Sequence, residues 1–383
     1  MDFPYKIYYI ANARMPTERA HGIQLAKMCE AFLEVGVNLE LVVPRRETDT
    51  RSVKDFYGLR VDIPLKRLRI LPLYTFGRFG FFLGSLSFAV GYFFYLGWKH
   101  WVRHEKFVIY TTDLDQFSFF LIPFLGVPYF VEMHDAKKKL WQFILLFRYA
   151  SGVISINEII KAQLCYRFHV PNKKNIVEPN AVDRALFDKP ESKEVARTLL
   201  GLSSDRRMVM YIGKVYPWKG LGQFVEAAIL MPNILFYLVG GTAEELRTVG
   251  LINEQPANLV CVGQKPFAEI PRWLWAADVL IVLGTEKDDY SYFYTSPMKI
   301  FEYAAARRPI LASVTPAIAS ILSNNEAFVY PADKAADIPE RIRYIFEHPD
   351  EAQDKVNQAY QHLHSSWGER ALRIVHFMES QLV

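Results

Sequence analysis

Cysteine is scarce in this chain of 383 residues. Cys29, Cys165 and Cys261 are the whole set, far apart and without a Cys-x-x-Cys spacing. An odd, scattered set excludes a disulfide framework and a structural zinc site, and it fits a reducing cytosol. Also missing are a Gly-x-Gly-x-x-Gly and a Gly-x-x-x-x-Gly-Lys-Ser/Thr, so neither the dinucleotide fingerprint nor the P-loop is available. No short-period repeat or low-complexity tract occurs. No signal peptide is expected, because Met-Asp-Phe-Pro-Tyr-Lys runs directly into the strand-like Ile7-Tyr8-Tyr9-Ile10.

What is present suits a folded globular protein: 51% hydrophobic and 22% charged residues. The length exceeds what one core usually supports, so two domains are expected. Aromatics reach 15%, with 28 Phe and 21 Tyr. Charge is uneven. Residues 1–190 carry 26 Lys and Arg against 18 Asp and Glu, a net of +8, whereas residues 191–383 carry 19 against 23, a net of −4. A basic first half suggests an anionic neighbour, either a phosphate-bearing substrate or an acidic lipid surface, although a plain solvated basic face has the same composition.

Short apolar runs alternate with longer helical patterns, the rhythm of parallel sheets built from βαβ units. Strands are expected at Lys6–Ala11, Leu39–Val43, Leu68–Leu71, Phe107–Tyr110, Tyr129–Glu132, Gly152–Ser155 and Asn175–Val177, with a helix from Gly22 to Val35. The rhythm restarts near 207, giving strands at Met208–Gly213, Leu235–Gly240, Leu259–Val262, Val279–Leu283, Ile310–Ser313 and Phe328–Tyr330. Helices are expected near 219–231, 242–249, 267–276, 297–306 and 333–348. The charged stretch Asp188–Arg207 reads as the linker. The fold class is therefore α/β with two domains. Phe79–Trp98 has no charge over twenty residues, long enough to cross a bilayer. It lies between two strands of one sheet, so a buried or interfacial crossover helix is preferred over a span. An aromatic face near Lys66, Arg67, Arg69 and Arg78 would dock on anionic lipid.

Ligands of such sheets bind beyond the carboxyl ends of the strands, so the chemistry is sought in the following loops. The first loop ends at His21-Gly22 on a helix start, where a simple cap is the preferred reading and an anion at the helix N-terminus the alternative. After the fifth strand come Glu132-Met133-His134-Asp135, with His134 a polar contact for sugar or phosphate and Asp135 orienting its ring. Gly213-Lys214 and Lys219-Gly220 flank a proline-containing turn, and two lysines near a helix N-terminus would neutralise a diphosphate. In Tyr294-Thr295-Ser296-Pro297-Met298-Lys299-Ile300-Phe301-Glu302, Ser296 is expected to cap a helix with Pro297 in its first turn. Lys299 and Glu302 share a face, as a weak surface pair or with Glu302 accepting from a ribose diol. Asp113-Leu114-Asp115 offers a lone Asp-x-Asp, a poor metal site by itself.

These residues resemble glycosyltransferase family 4. The resemblance is carried by Gly213-Lys214 with Lys219-Gly220, by Ser296-Pro297-x-Lys299-x-x-Glu302-Tyr303, and by His134-Asp135. Pro179-Asn180-Ala181-Val182-Asp183, Ser366-Trp367 and Arg370-Ala371 extend it over nearly the whole chain, in order. It implies the GT-B fold: two facing Rossmann-like domains with parallel sheets, and a C-terminal helix crossing back to the first. The acceptor-binding domain would be 1–190, the nucleotide-sugar-binding domain 191–365, and the returning helix 366–383. Lys219, aided by Lys214, would bind the donor diphosphate. Glu302 would hold the ribose, Gly213, Thr295, Ser296, Pro297 and Lys299 would lie around the donor, His134 would touch the transferred sugar, and Gly22 would leave room beside it. Two positions depart from the pattern: Lys214 replaces an arginine, and Tyr294 replaces the first acid of a glutamate pair, for which Glu286 or Asp289 are the nearby substitutes.

The activity so implied is retaining, metal-independent transfer from a UDP- or GDP-linked sugar to a glycan or lipid-linked acceptor in bacterial surface-polysaccharide synthesis. Neither cofactor nor nucleic acid is expected, and the place is the cytoplasm, peripheral on the inner membrane face. No glycosidase-type carboxylate pair is evident, so front-face substitution is the expected route. The competing readings are a nucleotide-sugar epimerase or phosphorylase of the same fold, a non-catalytic sugar-nucleotide-binding subunit of a membrane complex, and an integral membrane protein.

Overall fold

The computed structural model describes all residues except 1–2, 18, 47–50, 74–75, 113–114, 116, 364 and 383. Of the expectations above, Asp113-Leu114 and the side chain of Arg78 fall outside the description. The chain forms two compact units, Met1–Pro179 with Trp367–Val383, and Asn180–Ser366.

The first unit holds β1 (Lys6–Ile10), β2 (Leu39–Pro44), β3 (Leu65–Leu68), β4 (Phe107–Thr112), β5 (Tyr129–Met133), β6 (Gly152–Ser155) and β7 (Asn175–Val177). They are parallel, in the order β3-β2-β1-β4-β5-β6-β7. The order reverses between β1 and β4, which makes the loops after these strands the place for a ligand. β3 lies three residues earlier than its apolar pattern suggests. Leu41 N–H bonds Pro64 O and Arg45 N–H bonds Leu68 O, which pairs 65–68 with β2. Lys66 and Arg67 point to solvent from this edge strand, where charge discourages stray pairing.

The helix Gly77–Gly97 joins β3 to β4 as a crossover, and those strands belong to one sheet. Ser85, Phe88, Ala89, Tyr92 and Leu96 fall at helical spacing and are fully buried. The opposite side is apolar too, with Phe79, Phe94 and Trp98 exposed. The last helix, Trp367–Leu382, belongs to this unit and packs on the helix Ala20–Glu34.

The second unit holds β8 (Met208–Ile212), β9 (Leu235–Val239), β10 (Leu259–Gly263), β11 (Val279–Val282), β12 (Ile310–Val314) and β13 (Phe328–Pro331), again parallel, in the order β10-β9-β8-β11-β12-β13. Its reversal falls between β8 and β11. The central strands are apolar on both faces because each face carries a core. Met208, Met210 and Ile212 enter one layer, Val209 and Tyr211 the other.

The stretch read as a linker is instead part of this unit. Ser192 caps a helix, Lys193–Leu200, by accepting from Val195 N–H, and Gly201 ends it in the left-handed region. Arg197 is buried. Its guanidinium reaches Asp278 at 2.7 Å and the Ala276 carbonyl at 2.9 Å, while Lys193 takes the other Asp278 oxygen at 2.8 Å. Charges that look solvated in the sequence are ion-paired inside the fold.

Candidate functional site

In the second unit the loop after β8 opens at Gly213, whose φ of 150° suits glycine. A Cβ there would come within 3.2 Å of Lys299 Nζ and 3.3 Å of Tyr211 Oη. The chain then makes a tight turn, Pro217–Lys219, closed by Gly220 at φ 69°. A side chain at 220 would press on the Gly284 carbonyl, which belongs to the loop after β11. Gln223 ties the same carbonyl at 2.9 Å and accepts from Asp333 N–H at 3.0 Å. The two loops at the switch point are thus held together.

Lys219 Nζ is partly buried, 4.9 Å from the ring centre of Tyr216 and 5.5 Å from that of Trp218. Among the described residues its hydrogen bond is a long 3.4 Å contact to the Lys214 carbonyl. Lys299 Nζ lies 3.5 Å over the Tyr211 ring. Neither ammonium has a carboxylate within ion-pair distance among the described residues. Burial, and then the charge of Lys214, pushes Lys219 down to about 8. Burial and the charge of Lys219 push Lys299 well below the usual lysine range, with Glu302 opposing. Burial raises Glu302 to about 7 against the pull of Lys299. Two desolvated lysines without an ion-paired carboxylate among the described residues hold their protons most readily beside a polyanionic group.

The helix Met298–Ala305 points its N-terminus at this loop region. Tyr303 Oη accepts from Ile212 N–H at 2.9 Å, which fixes the helix beneath the end of β8. Ser296 does not cap it. Pro297 occupies the cap position, no side chain bonds the first turn, and Ser296 stands one residue too early. Its hydroxyl is buried with no hydrogen-bond partner, while its carbonyl accepts from Asn180 Nδ2 at 2.7 Å. Thr295 is buried and its N–H bonds the Tyr290 carbonyl at 3.0 Å. An uncapped N-terminus beside an orphan hydroxyl is an anion cradle of the helix-dipole kind. Lys299 and Glu302 form no surface ion pair. Tyr294 ends a π-helical turn, Tyr290–Tyr294, with its ring 5.9 Å from Phe293. Glu286 and Asp289 are both exposed, and Asp289 heads that turn without bonding it.

In the first unit His134 follows β5 directly, with 17% of its side chain exposed. Asp135 does not orient it, since that carboxylate pairs with Lys137 at 3.0 Å. The partner is Glu132, whose Oε1 lies 2.9 Å from His134 Nε2. Glu132 is fully buried. Burial alone would raise it, but Arg370 at 3.1 Å, His134 and the Tyr110 hydroxyl hold it down at about 2. Gly22 sits in the first turn of Ala20–Glu34. A Cβ there would meet Thr17 Cγ2 and Tyr57 Oη, both at 2.4 Å, so the space it leaves is filled by the protein's own Tyr57. His21 beside it is pushed down to about 4 by burial and by Arg19, His134 and Arg14.

Sequence reading missed Glu132, Arg370 and Asn180 as contributors. For Glu132 a signal existed: residues two apart on a strand share a face, so Glu132 and His134 point the same way. Nothing local announces Arg370, which arrives from more than two hundred residues away.

Two doubly wound parallel sheets, with a cation-rich loop and a bare helix N-terminus at the second switch point, define a GT-B protein. Solved structures agree over the full length. Sucrose-phosphate synthase from Thermosynechococcus elongatus superposes with a TM-score of 0.76 at 18% identity, over 98% of this chain and 99% of that one. HepE from Anabaena, in complex with UDP-glucose, gives 0.72 at 16% over 98% and 99%. Residues 206–348, within the second unit, match the family model described as Glycosyl transferases group 1. The alpha-galactosylglucosyldiacylglycerol synthase of Streptococcus pneumoniae is 31% identical over 150 residues, 37% of this chain. The chain spans only 38% of that relative's length.

Proposed function

We propose that this chain transfers a sugar from a nucleotide diphosphate sugar to a glycan or lipid-linked acceptor, with retention and without a metal. The observation that carries the reading is the pair of desolvated ammoniums, Lys219 and Lys299, beside the uncapped helix with its orphan Ser296 hydroxyl. Such a set neutralises a diphosphate in the ground state and more strongly as negative charge collects on the departing phosphate. Lysines and backbone N–H groups supply here the charge that a divalent ion supplies in other transferases. Glu302, ionised, accepts from the ribose hydroxyls. His134 contacts the sugar, and the acceptor hydroxyl attacks from the side the nucleotide leaves, passing its proton to the departing phosphate. That HepE was crystallised with UDP-glucose and that the pneumococcal relative is a glycolipid synthase support a nucleotide-sugar donor and a lipid acceptor.

A thermal-shift panel of UDP, GDP, UDP-glucose and GDP-mannose is the direct test. One nucleotide series is expected to stabilise the protein, by about 2.7 kcal/mol at a hundredfold excess over Kd. No shift with any of the four removes the proposal. Sugar released or rearranged at full rate without an acceptor would favour an epimerase or phosphorylase, and binding without turnover a non-catalytic subunit. Undiminished turnover in excess chelator is expected.

The lipid side of the proposal rests on the crossover helix. Among the described residues it is the one helix long and apolar enough to cross a membrane, but as a crossover within one sheet it lies on a surface instead. Phe94, Trp98, Trp101 and Val102 are exposed, with Arg103 stacked at 4.2 Å on Trp98 and Lys66 5.1 Å from the Tyr95 ring. Aromatics rimmed by cations fit the interface of an anionic bilayer. Flotation with phosphatidylglycerol vesicles at low salt is expected to carry the protein, and Phe94→Ser/Trp98→Ser to abolish it. Equal flotation of both proteins would refute the assignment of this face.

A further inference from the structure

His134 hangs from a buried polar chain whose far end is on the last helix. Arg370 and Glu132 are 0% and 1% exposed at the side chain. The guanidinium bonds the Pro179 and Glu178 carbonyls at 2.8 and 3.1 Å and approaches Glu132 Oε1 at 3.1 Å. Tyr110 donates its hydroxyl to Glu132 Oε2, and Gln24 Nε2 donates to Oε1 at 3.1 Å. Every neighbour of Glu132 is thus a donor, and an ionised carboxylate is only an acceptor. The 2.9 Å contact to His134 Nε2 therefore needs the proton on Nε2. The 3.1 Å approach of Gln24 Nε2 to the same ring nitrogen is then a neighbour contact, both groups donating to one oxygen. Nδ1 has no hydrogen-bond partner among the described residues, and the ring is partly exposed.

We propose that Arg370 is a positioning residue for His134: by keeping Glu132 anionic it fixes the Nε2–H tautomer and turns Nδ1, as acceptor, toward the ligand. The ligand atom suited to that nitrogen is a hydroxyl donor on the sugar, which rests on the transferase reading above. The positioning itself does not. The charge sits inside the first unit, so the last helix contributes more than packing. It sets the chemistry of a residue at the end of β5.

Nitrogen-15 NMR of histidine-labelled protein reads the tautomer without any ligand, the His134 signal being assigned by its loss in His134→Gln. The wild type is expected to show Nε2–H. Arg370→Ala would strand a buried charge and endanger folding, so two gentler variants are used. Glu132→Gln keeps the shape; Arg370, Gln24 and His134 all meet Oε1, so the amide oxygen stays there with its N–H toward the Tyr110 hydroxyl, and Nε2–H is expected to persist. Arg370→Gln removes the countercharge; Glu132 takes up a proton, becomes a donor, and His134 is expected to switch to Nδ1–H. Arg370→Lys keeps the charge and is expected to keep Nε2–H. An unchanged tautomer in Arg370→Gln, or a switched one in Arg370→Lys, overturns the proposal. In parallel, turnover of the nucleotide-sugar identified by the panel is expected to fall at least tenfold in Arg370→Gln, with affinity for the free nucleotide diphosphate unchanged. A switched tautomer with full turnover would leave the positioning intact and refute the sugar contact of His134 instead.

Discussion

Lys219→Ala is expected to remove at least about 2 kcal/mol of transition-state stabilisation, a loss of roughly 30-fold in kcat/KM for the nucleotide-sugar. The basis is differential. In the free protein this ammonium is partly buried, faces Lys214 and Lys299, and has no carboxylate against it, so its charge is a local cost. A diphosphate repays that cost on binding, and more so as the bond to the sugar breaks. The same argument fixes the sign of the stability effect. Removing a desolvated cation is expected to leave the Tm of the ligand-free variant unchanged or raised, whereas removing a mere structural residue would lower it. Scanning calorimetry with and without the nucleotide-sugar separates the two. A variant of wild-type turnover, or one that simply unfolds earlier with its ligand-induced shift intact, would contradict the assignment.

Donor affinity is expected to be bell-shaped in pH, with limbs near 7 and near 8. A nucleotide diphosphate sugar is fully ionised across this range, so the limbs belong to the protein. The groups gathered at the site are Lys214, Lys219, Lys299 and Glu302. Binding a diphosphate requires Lys219 protonated, and burial has brought this lysine down to about 8. Affinity therefore falls above that value, by up to about tenfold per pH unit. Accepting from ribose hydroxyls requires Glu302 ionised, and burial has raised it to about 7. Affinity therefore falls below that value. Lys219→Arg should remove the share of Lys219 in the alkaline limb, because guanidinium stays charged, leaving only that of Lys299, and Glu302→Gln should erase the acid limb along with part of the affinity. Calorimetric titration from pH 5.5 to 9.5 checks both. A flat profile in the wild type would mean that neither group meets the ligand.

Much of this site was legible because its parts are local. Gly213, Lys219 and Gly220 lie within one loop, and Lys299 and Glu302 within one helical turn, so spacing alone puts them near one another. The errors share a cause as well. Ser296 looked like a cap since serine before proline usually is one, and only the backbone shows that Pro297 takes the position. Asp135 looked like the partner of His134 because it is adjacent, yet adjacent residues at a strand end point to opposite sides. Glu132, two residues back, points the same way. Asp188–Arg207 looked solvated because it is charged, and Asp278, far along the chain, turns those charges inward.

The amino-acid order by itself determined the two parallel sheets, the second of them beginning after 207, the placement of cationic and helix-starting residues after the strands, and the apolar crossover, because each depends on periodicity and spacing within a few turns of chain. Only the tertiary structure decided which groups lose their water and which charges meet. The depressed ammoniums of Lys219 and Lys299, the orphan hydroxyl of Ser296 and the buried line from Arg370 through Glu132 to His134 arise from segments far apart in the chain. Desolvation and Coulomb attraction act through space, and no local pattern records them.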